Sequence, residues 1–245
     1  MFLISDIIKR VFFPDDYGCI VCGRRGLHRK EHGNAVFCDK CFATVKRVGD
    51  VVCTKCGRRI GSEDSLCESC AKHDMRFDLA ASVYCYEGAA RTLVHRLKYS
   101  GAQWVADIGA KQMAEAYDEE AMPADVITFV PMYPKKERQR GYNQARLLAE
   151  GIAKRLGKEA VPLLERIRKT TPQSELDKDE RMENIENAIG VAENMKESVE
   201  GKRVLVVDDI LTTGSSLDEC ARALKEQGAA AVYGLCLCSV SEKYE

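Results

Sequence analysis

Between residues 19 and 70 one spacing recurs four times: Cys19/Cys22, Cys38/Cys41, Cys53/Cys56 and Cys67/Cys70 are all C-x-x-C pairs. Two thiolates three positions apart on a tight knuckle can face one ion, and two such pairs complete the tetrahedral sulfur shell that zinc prefers. A segment stapled in this way does not need a large core of its own, so the spacing restricts this part of the chain more than any helix or strand propensity does. The spacers between pairs are 15, 11 and 10 residues, and glycine follows the first and third pairs, at Gly23 and Gly57, where a knuckle turns sharply. The alternation suggests two consecutive ribbons holding two Zn2+ ions. Cys19, Cys22, Cys38 and Cys41 would form one site and Cys53, Cys56, Cys67 and Cys70 the other, with interleaved and nested pairings still open. A disulfide scaffold is disfavoured, because no export signal is visible and reducing compartments keep thiols free.

The 245 residues carry a formal net charge of -1, so the chain as a whole attracts neither nucleic acid nor an anionic membrane. A local patch is the remaining route. From Tyr17 to Arg76 twelve Lys or Arg stand against seven Asp or Glu, a formal +5, but each zinc with four thiolates is a net -2, so two filled sites lower this to +1. Direct binding of single-stranded nucleic acid by the ribbons is therefore one reading, and a structural or protein-contact role the other. Residues 1–16 read as an amphipathic helix with Ile4, Ile7, Ile8, Val11 and Phe12 on one face. It is shorter than the roughly 20 apolar residues that span a bilayer. The expectation is a cytoplasmic protein without a transmembrane segment, with peripheral attachment at the inner face of a membrane as the other setting.

At Phe77 the pattern changes to alternating strand and helix signals. LAASVYCYEG reads as a strand and turn, followed by a short helix ended by Gly101 and a second helix from about Ala102 to Tyr117. VITFVP at 126–131 reads as a buried strand, MYPKKERQRG as a polar basic loop, and NQARLLAEGIAKRLG as a helix stopped at Gly157. VPLL at 161–164 is a further strand candidate, and residues 166–189 form a long polar stretch of the kind that usually serves function. A strand from Val204, a helix closed by Gly228 and a last strand AVYGLCLC imply parallel pairing by a crossover. The expected layout is thus a helix over 1–16, a double zinc ribbon over 17–76 and an α/β domain over 77–245. Cys85, Cys220, Cys236 and Cys238 fall in apolar runs and read as small buried hydrophobes.

Val204 to Leu217 reads VLVVDDILTTGSSL. Four aliphatic residues suit a central parallel strand, which would place Asp208 and Asp209 at its carboxyl end, the edge where open α/β sheets take ligands. Thr212 to Ser216 then make the turn into a helix, where backbone N–H groups, small hydroxyls and a glycine can cradle a phosphate. A carboxylate does not face a phosphate usefully, so the acids should meet hydroxyls or a cation. A phosphorylated sugar satisfies both halves. Neither a G-x-x-x-x-G-K loop nor a G-x-G-x-x-G turn is present.

These residues carry a family resemblance. VLVVDDILTTGSS resembles the 5-phosphoribosyl 1-pyrophosphate (PRPP) motif of type I phosphoribosyltransferases. With the four C-x-x-C pairs, LKYSG at 97–101, VPMYPKKERQRGYNQARLLA at 130–149 and QSELDKDERMENIENAI at 173–189, nearly the whole chain is similar to the ComF competence-protein family. The resemblance implies a type I phosphoribosyltransferase fold, a central mainly parallel sheet flanked by helices, with a small zinc-ribbon module in front. It implies PRPP and Mg2+ as ligands, a role in handling imported single-stranded DNA during natural transformation, and other DNA-uptake proteins as partners. It further implies Asp208 and Asp209 as catalytic groups on the ribose hydroxyls, and Thr212, Thr213, Gly214, Ser215 and Ser216 on the 5'-phosphate. Lys135, Lys136, Arg138 and Arg140, with Lys98, would meet pyrophosphate, and Gln173, Arg181 and Asn184 would belong to a flexible lid. Pentosyl transfer is the reaction such a site would run, and no segment names its acceptor. The alternatives are a non-catalytic PRPP- or nucleotide-binding and DNA-binding adaptor in a competence complex, and a nucleotide-salvage transferase unrelated to competence.

Overall fold

The computed structural model describes residues 19–24, 37–61, 65–101, 103–120, 122–168, 180 and 184–242. The helix expected over 1–16, and Gln173 and Arg181 of the expected lid, lie outside the described residues. Two short helical turns, α1 (Asp39–Phe42) and α2 (Glu68–Lys72), belong to the cysteine-rich part. The chain then runs β1 (Leu79–Cys85), α3 (Gly88–Tyr99), α4 (Val105–Glu119), β2 (Val126–Phe129), α5 (Pro134–Arg140), α6 (Gln144–Leu156), β3 (Leu164–Arg166) and β4 (Ile189–Val191). A 3-10 turn, Glu193–Ser198, leads to β5 (Arg203–Leu211), α7 (Ser215–Glu226) and β6 (Ala231–Ser239).

The main sheet has the order β1-β6-β5-β2, and every pair in it is parallel. Parallel strands covered on both faces need near-continuous apolar runs, and Val204 to Val207 supply one. Leu205 and Val207 pack into one core with Leu93, Leu97, Met113 and Leu148, while Val204 and Val206 join a second core with Leu217, Cys220 and Leu224. Each such aliphatic burial stabilises the fold by about 1.5–3 kcal/mol. Cys220, Cys236 and Cys238 are buried in these cores and Cys85 is buried at the end of β1, as small hydrophobes should be. Among the described residues no helix is long and apolar enough to cross a membrane.

Both sheet edges are closed. On β2, Val161 N donates to Ile127 O at 2.8 Å. On β1 the outer backbone groups are taken by the cysteine-rich part: Ala80 N donates to Lys55 O at 2.9 Å, Val48 N to Val83 O at 3.2 Å and Cys85 N to Lys46 O at 2.9 Å. An unpaired edge strand is a template for aggregation, so the ribbons do for β1 what another strand would do. The approach is close: a Cβ on Gly57, whose φ is +65°, would lie 2.5 Å from Ala80 O. Only glycine fits there.

Three local expectations change. MYPKKERQRG is largely the helix α5 and not a loop, with Pro134 at its first turn and Gly141 at φ 86° ending it. Lys, Glu, Arg and Gln are good helix formers, and an exposed helix of two turns needs no apolar period. The strand expected at 161–164 lies slightly later, at Leu164–Arg166, because its partner is Ile189–Val191 at the far end of the long polar stretch. The strand through the acid pair is also longer than four aliphatics, since β5 continues to Leu211 by pairing with β6 at Ile210↔Cys238 and Leu211↔Ser239.

Candidate functional site

The eight paired cysteines form two groups in the consecutive arrangement, Cys19, Cys22, Cys38 and Cys41, then Cys53, Cys56, Cys67 and Cys70, with the sulfurs of each group within 4.8 Å of one another. A tetrahedral shell with Zn–S of about 2.3 Å has edges of about 3.8 Å. Cys22 Sγ to Cys38 Sγ is 3.7 Å, and Cys56 Sγ to Cys67 Sγ is also 3.7 Å, so both groups fit zinc. The two sites differ in access. Cys22 is exposed and Cys41 half-buried in the first, whereas the second has no exposed ligand, Cys53, Cys56 and Cys67 being buried and Cys70 half-buried. A chelator should therefore release zinc in two phases, the faster assigned to the first site. A colorimetric release trace checks this, and Cys22→Ser should remove the fast phase alone.

β5 outlasts its neighbour. The last register pair between them is Phe129↔Val207, and Val130 N still reaches Val207 O at 3.0 Å, so from Asp208 onward the β2 side of β5 is open. The acid pair stands at this step in the sheet, where a crevice forms at the carboxyl ends of parallel strands. Successive side chains on a strand point to opposite faces, and the two acids divide accordingly. Asp209, 2% exposed, meets α3 and α6: Lys98 Nζ lies 2.7 Å from its Oδ2, and Gln144 Nε2 donates to its Oδ1 at 3.2 Å. Asp208 is half-buried on the other side, and its Oδ1 accepts from Asp209 N at 2.8 Å. Close packing and then the adjacent Asp209 carboxylate push the Asp208 carboxyl well above the usual range, against the pull of Lys98. Burial works against the Lys98 charge, but Asp209 outweighs it and holds the ammonium above its ordinary pKa.

Lys98 opens onto a cleft of 370 Å³ lined also by Tyr99, Lys136, Gln139, Arg140 and Tyr142. Lys136 is held below its ordinary pKa by burial and then by the cations Arg140, Lys98 and Arg166. The positive groups crowd one another, and an anion with several charges would relieve that crowding. Arg140 lies over the Tyr99 ring at 5.3 Å and donates through Nη1 to Gln144 Oε1, so a polar chain runs from Arg140 through Gln144 and Asp209 to Lys98.

Beyond β5, Gly214 takes φ 89° and caps α7. Thr213 Oγ1 donates to Ser215 Oγ at 2.9 Å and accepts from Ser215 N at 3.3 Å. Thr213 and Ser215 are buried, while Thr212 and Ser216 are half-buried. A glycine turn entering a helix with small hydroxyls about its first amides suits an anion at that end. Acid pair, cation cleft and helix entrance can together serve a ligand that is hydroxylated in one part and anionic in others.

Of the residues singled out in the sequence, Lys98, Lys136 and Arg140 come together at the cleft, whereas Lys135 and Arg138 are exposed along α5 and do not line it. Tyr142 and Asn143 serve the scaffold: Tyr142 Oη donates to Leu97 O at 2.5 Å, and Asn143 caps α6 by accepting from Ala145 N at 2.9 Å. Asn184 O accepts from Arg168 Nη2 at 3.2 Å. Three groups near the site escaped the sequence reading. Gln144 touches Asp209, Arg166 adds a cation to the cluster around Lys136, and Arg58 donates through Nη2 to Thr212 O. Only Gln144 carried a local signal, a polar residue at the buried first turn of α6.

Comparison with known proteins agrees with this division. The chain matches the double zinc ribbon domain family over residues 8–71 and the phosphoribosyl transferase domain family over residues 143–245. It is 28% identical to competence protein F of Haemophilus influenzae over 223 residues, covering 87% of this chain and 93% of that one. It is 31% identical to DNA utilization protein YhgH of Salmonella typhi, covering 82% and 89%, and 26% identical to competence protein ComFC of Bacillus subtilis, covering 79% and 80%. A relative 31% identical over 82% of this chain and 89% of its own length, with the two domains in the same order as the two cysteine groups and the acid-pair strand, makes this chain a member of the ComF family.

Proposed function

We propose that the chain binds PRPP together with Mg2+ at the open end of β5. The observation that carries this reading is the Lys98–Asp209 ion pair beneath the cation-lined cleft, which joins an acid grip for hydroxyls to a seat for a multivalent anion. In this reading Asp208 and Asp209 take the ribose hydroxyls and Thr212 to Ser216 take the 5'-phosphate. Lys98, Lys136 and Arg140 take pyrophosphate. Mg2+, bound with the ligand, would supply charge neutralisation for pyrophosphate, and Asp208 is the carboxylate whose ionised form a nearby cation would favour. If transfer occurs, fixed charges act on the cation-like sugar and the departing pyrophosphate, so the chain's part is electrostatic. The relatives' names, competence protein and DNA utilization protein, support a place in the handling of imported single-stranded DNA. Eight cysteines gathered for zinc and four more free thiols suit the reducing side of a membrane, so we place the protein in the cytoplasm.

Calorimetric titration with the parts of the ligand tests the assignment. Arg140→Ala and Lys136→Ala should each weaken inorganic pyrophosphate and PRPP by about tenfold and leave ribose 5-phosphate unchanged, the usual effect of removing one charge-assisted contact. Pyrophosphate binding indifferent to both substitutions would sink the reading of the cleft.

A further inference from the structure

The second zinc site and the 212–216 turn share a wall. Arg58 lies two residues beyond Cys56, is 5% exposed, and reaches across 154 residues of sequence to donate through Nη2 to Thr212 O. Its own carbonyl accepts from Cys53 N at 2.9 Å, so its backbone is held by a ligand residue of the second site. The same side of the turn is closed by the segment that follows the site. Gly214 faces Met75 Cε at 3.6 Å and Phe77 Cε1 at 3.8 Å, measured from the position a Cβ would take. Arg76 Nη1 pairs with Asp218 Oδ2 at 3.1 Å, and Asp218 N donates to Gly214 O at 2.9 Å. Gly214 sits at φ 89°, a conformation open to glycine because its backbone is the most permissive.

We propose that the second zinc site is a structural part of the anion loop, with Arg58 as the positioning residue that fixes the Thr212 carbonyl and through it the amides of 213–216. A guanidinium suits this role because its planar fork can keep one N–H on a carbonyl while the rest faces the four thiolates, a net -2 once zinc is bound. Among the described residues, the first site's segment meets the fold elsewhere: Ile20 joins the core with Val83 and Leu93, and Lys46 and Val48 lie along β1. The proposal rests on the reading of 212–216 as a phosphate seat, but its test does not need PRPP.

The full-length protein carrying Arg58→Met is assayed for zinc per chain, for amide exchange of the 212–218 peptide without ligand, and for PRPP affinity with Mg2+. With zinc retained, exchange at 212–218 should quicken about tenfold and PRPP should bind about tenfold more weakly, as expected for one lost hydrogen bond from a charged donor. Exchange in the 144–156 peptide should not change. Arg58→Lys should recover part of both effects. Unchanged exchange at 212–218 with zinc retained would overturn the proposal, as would equal quickening in 144–156, which marks general loosening. If Arg58→Met loses the second zinc, the shorter and neutral Arg58→Gln decides, and wild-type exchange at 212–218 in that variant with zinc retained overturns it. Local quickening in a protein whose wild type binds no PRPP would support the brace and count against the PRPP reading alone.

Discussion

Removal of residues 1–76 is expected to leave residues 77–245 aggregated. Ala80 N, Val83 O and Cys85 N would lose their ribbon partners together, turning β1 into a bare edge. Ile20 would leave the core it shares with Val83 and Leu93, and Phe77, wholly buried beside Met75 and Cys67, would be uncovered. Each lost large side chain removes about 2–5 kcal/mol, against a typical total stability of about 5–15 kcal/mol. Size-exclusion chromatography and circular dichroism of the truncated chain check this. A soluble monomer with the thermal midpoint of the full chain would contradict the docked arrangement. For the same reason, the ribbons' part in nucleic-acid binding is better probed by surface substitutions such as Arg24→Glu than by deletion.

The second large effect concerns the acid pair, whose members should part in stability while agreeing in function. Asp208→Asn removes a carboxylate that close packing and Asp209 disfavour, and should stabilise the protein by about 1 kcal/mol at neutral pH, or roughly 2–4 °C for a chain of this size. Asp209→Asn leaves Lys98 without its partner beneath the cleft and should destabilise by about 2 kcal/mol, below the full figure for a buried pair because Lys98 keeps some access to water. Both should weaken PRPP by about a hundredfold or more if each acid holds a ribose hydroxyl. The pH dependence follows from the direction of the Asp208 shift. Its folded pKa lies well above the ordinary carboxylate value, so the folded state holds that proton more tightly, and its contribution to stability is lost as pH rises from about 4 through the folded pKa. The midpoint gap between Asp208→Asn and wild type should therefore vanish near pH 4 and widen toward pH 8. A constant gap, or a destabilised Asp208→Asn, would contradict the crowded-acid description.

Much of this was legible in the sequence where local order carries the information. Four aliphatics, two acids and a small-residue turn can hardly be arranged otherwise than as strand, step and helix entrance, and the spacing of the cysteine pairs favoured consecutive ribbons. Where the reading failed, packing decided. Helix α5 has no apolar stripe, so only Pro134 and Gly141 marked its ends, and charge density read as a loop. The split of Asp208 and Asp209 between two faces depends on β5 continuing past β2, which follows from how strands of unequal length pair. Arg58 looked like one member of a basic pair in a ribbon, and nothing near it in sequence pointed to Thr212. The largest gain is in the ribbons themselves. Their basic character suggested a nucleic-acid patch, yet part of it is engaged within the chain, the buried Arg58 on the turn and the exposed Arg76 on Asp218.

The most direct measurement of the central claim is a crystal structure of the full chain grown with PRPP and Mg2+. The expected result is one ligand at the open end of β5, with its 5'-phosphate on the amides of 213–216, its ribose hydroxyls on Asp208 and Asp209, and its pyrophosphate beside Lys98, Lys136 and Arg140. A ligand bound elsewhere, or with pyrophosphate at the turn and the sugar away from both acids, would contradict it.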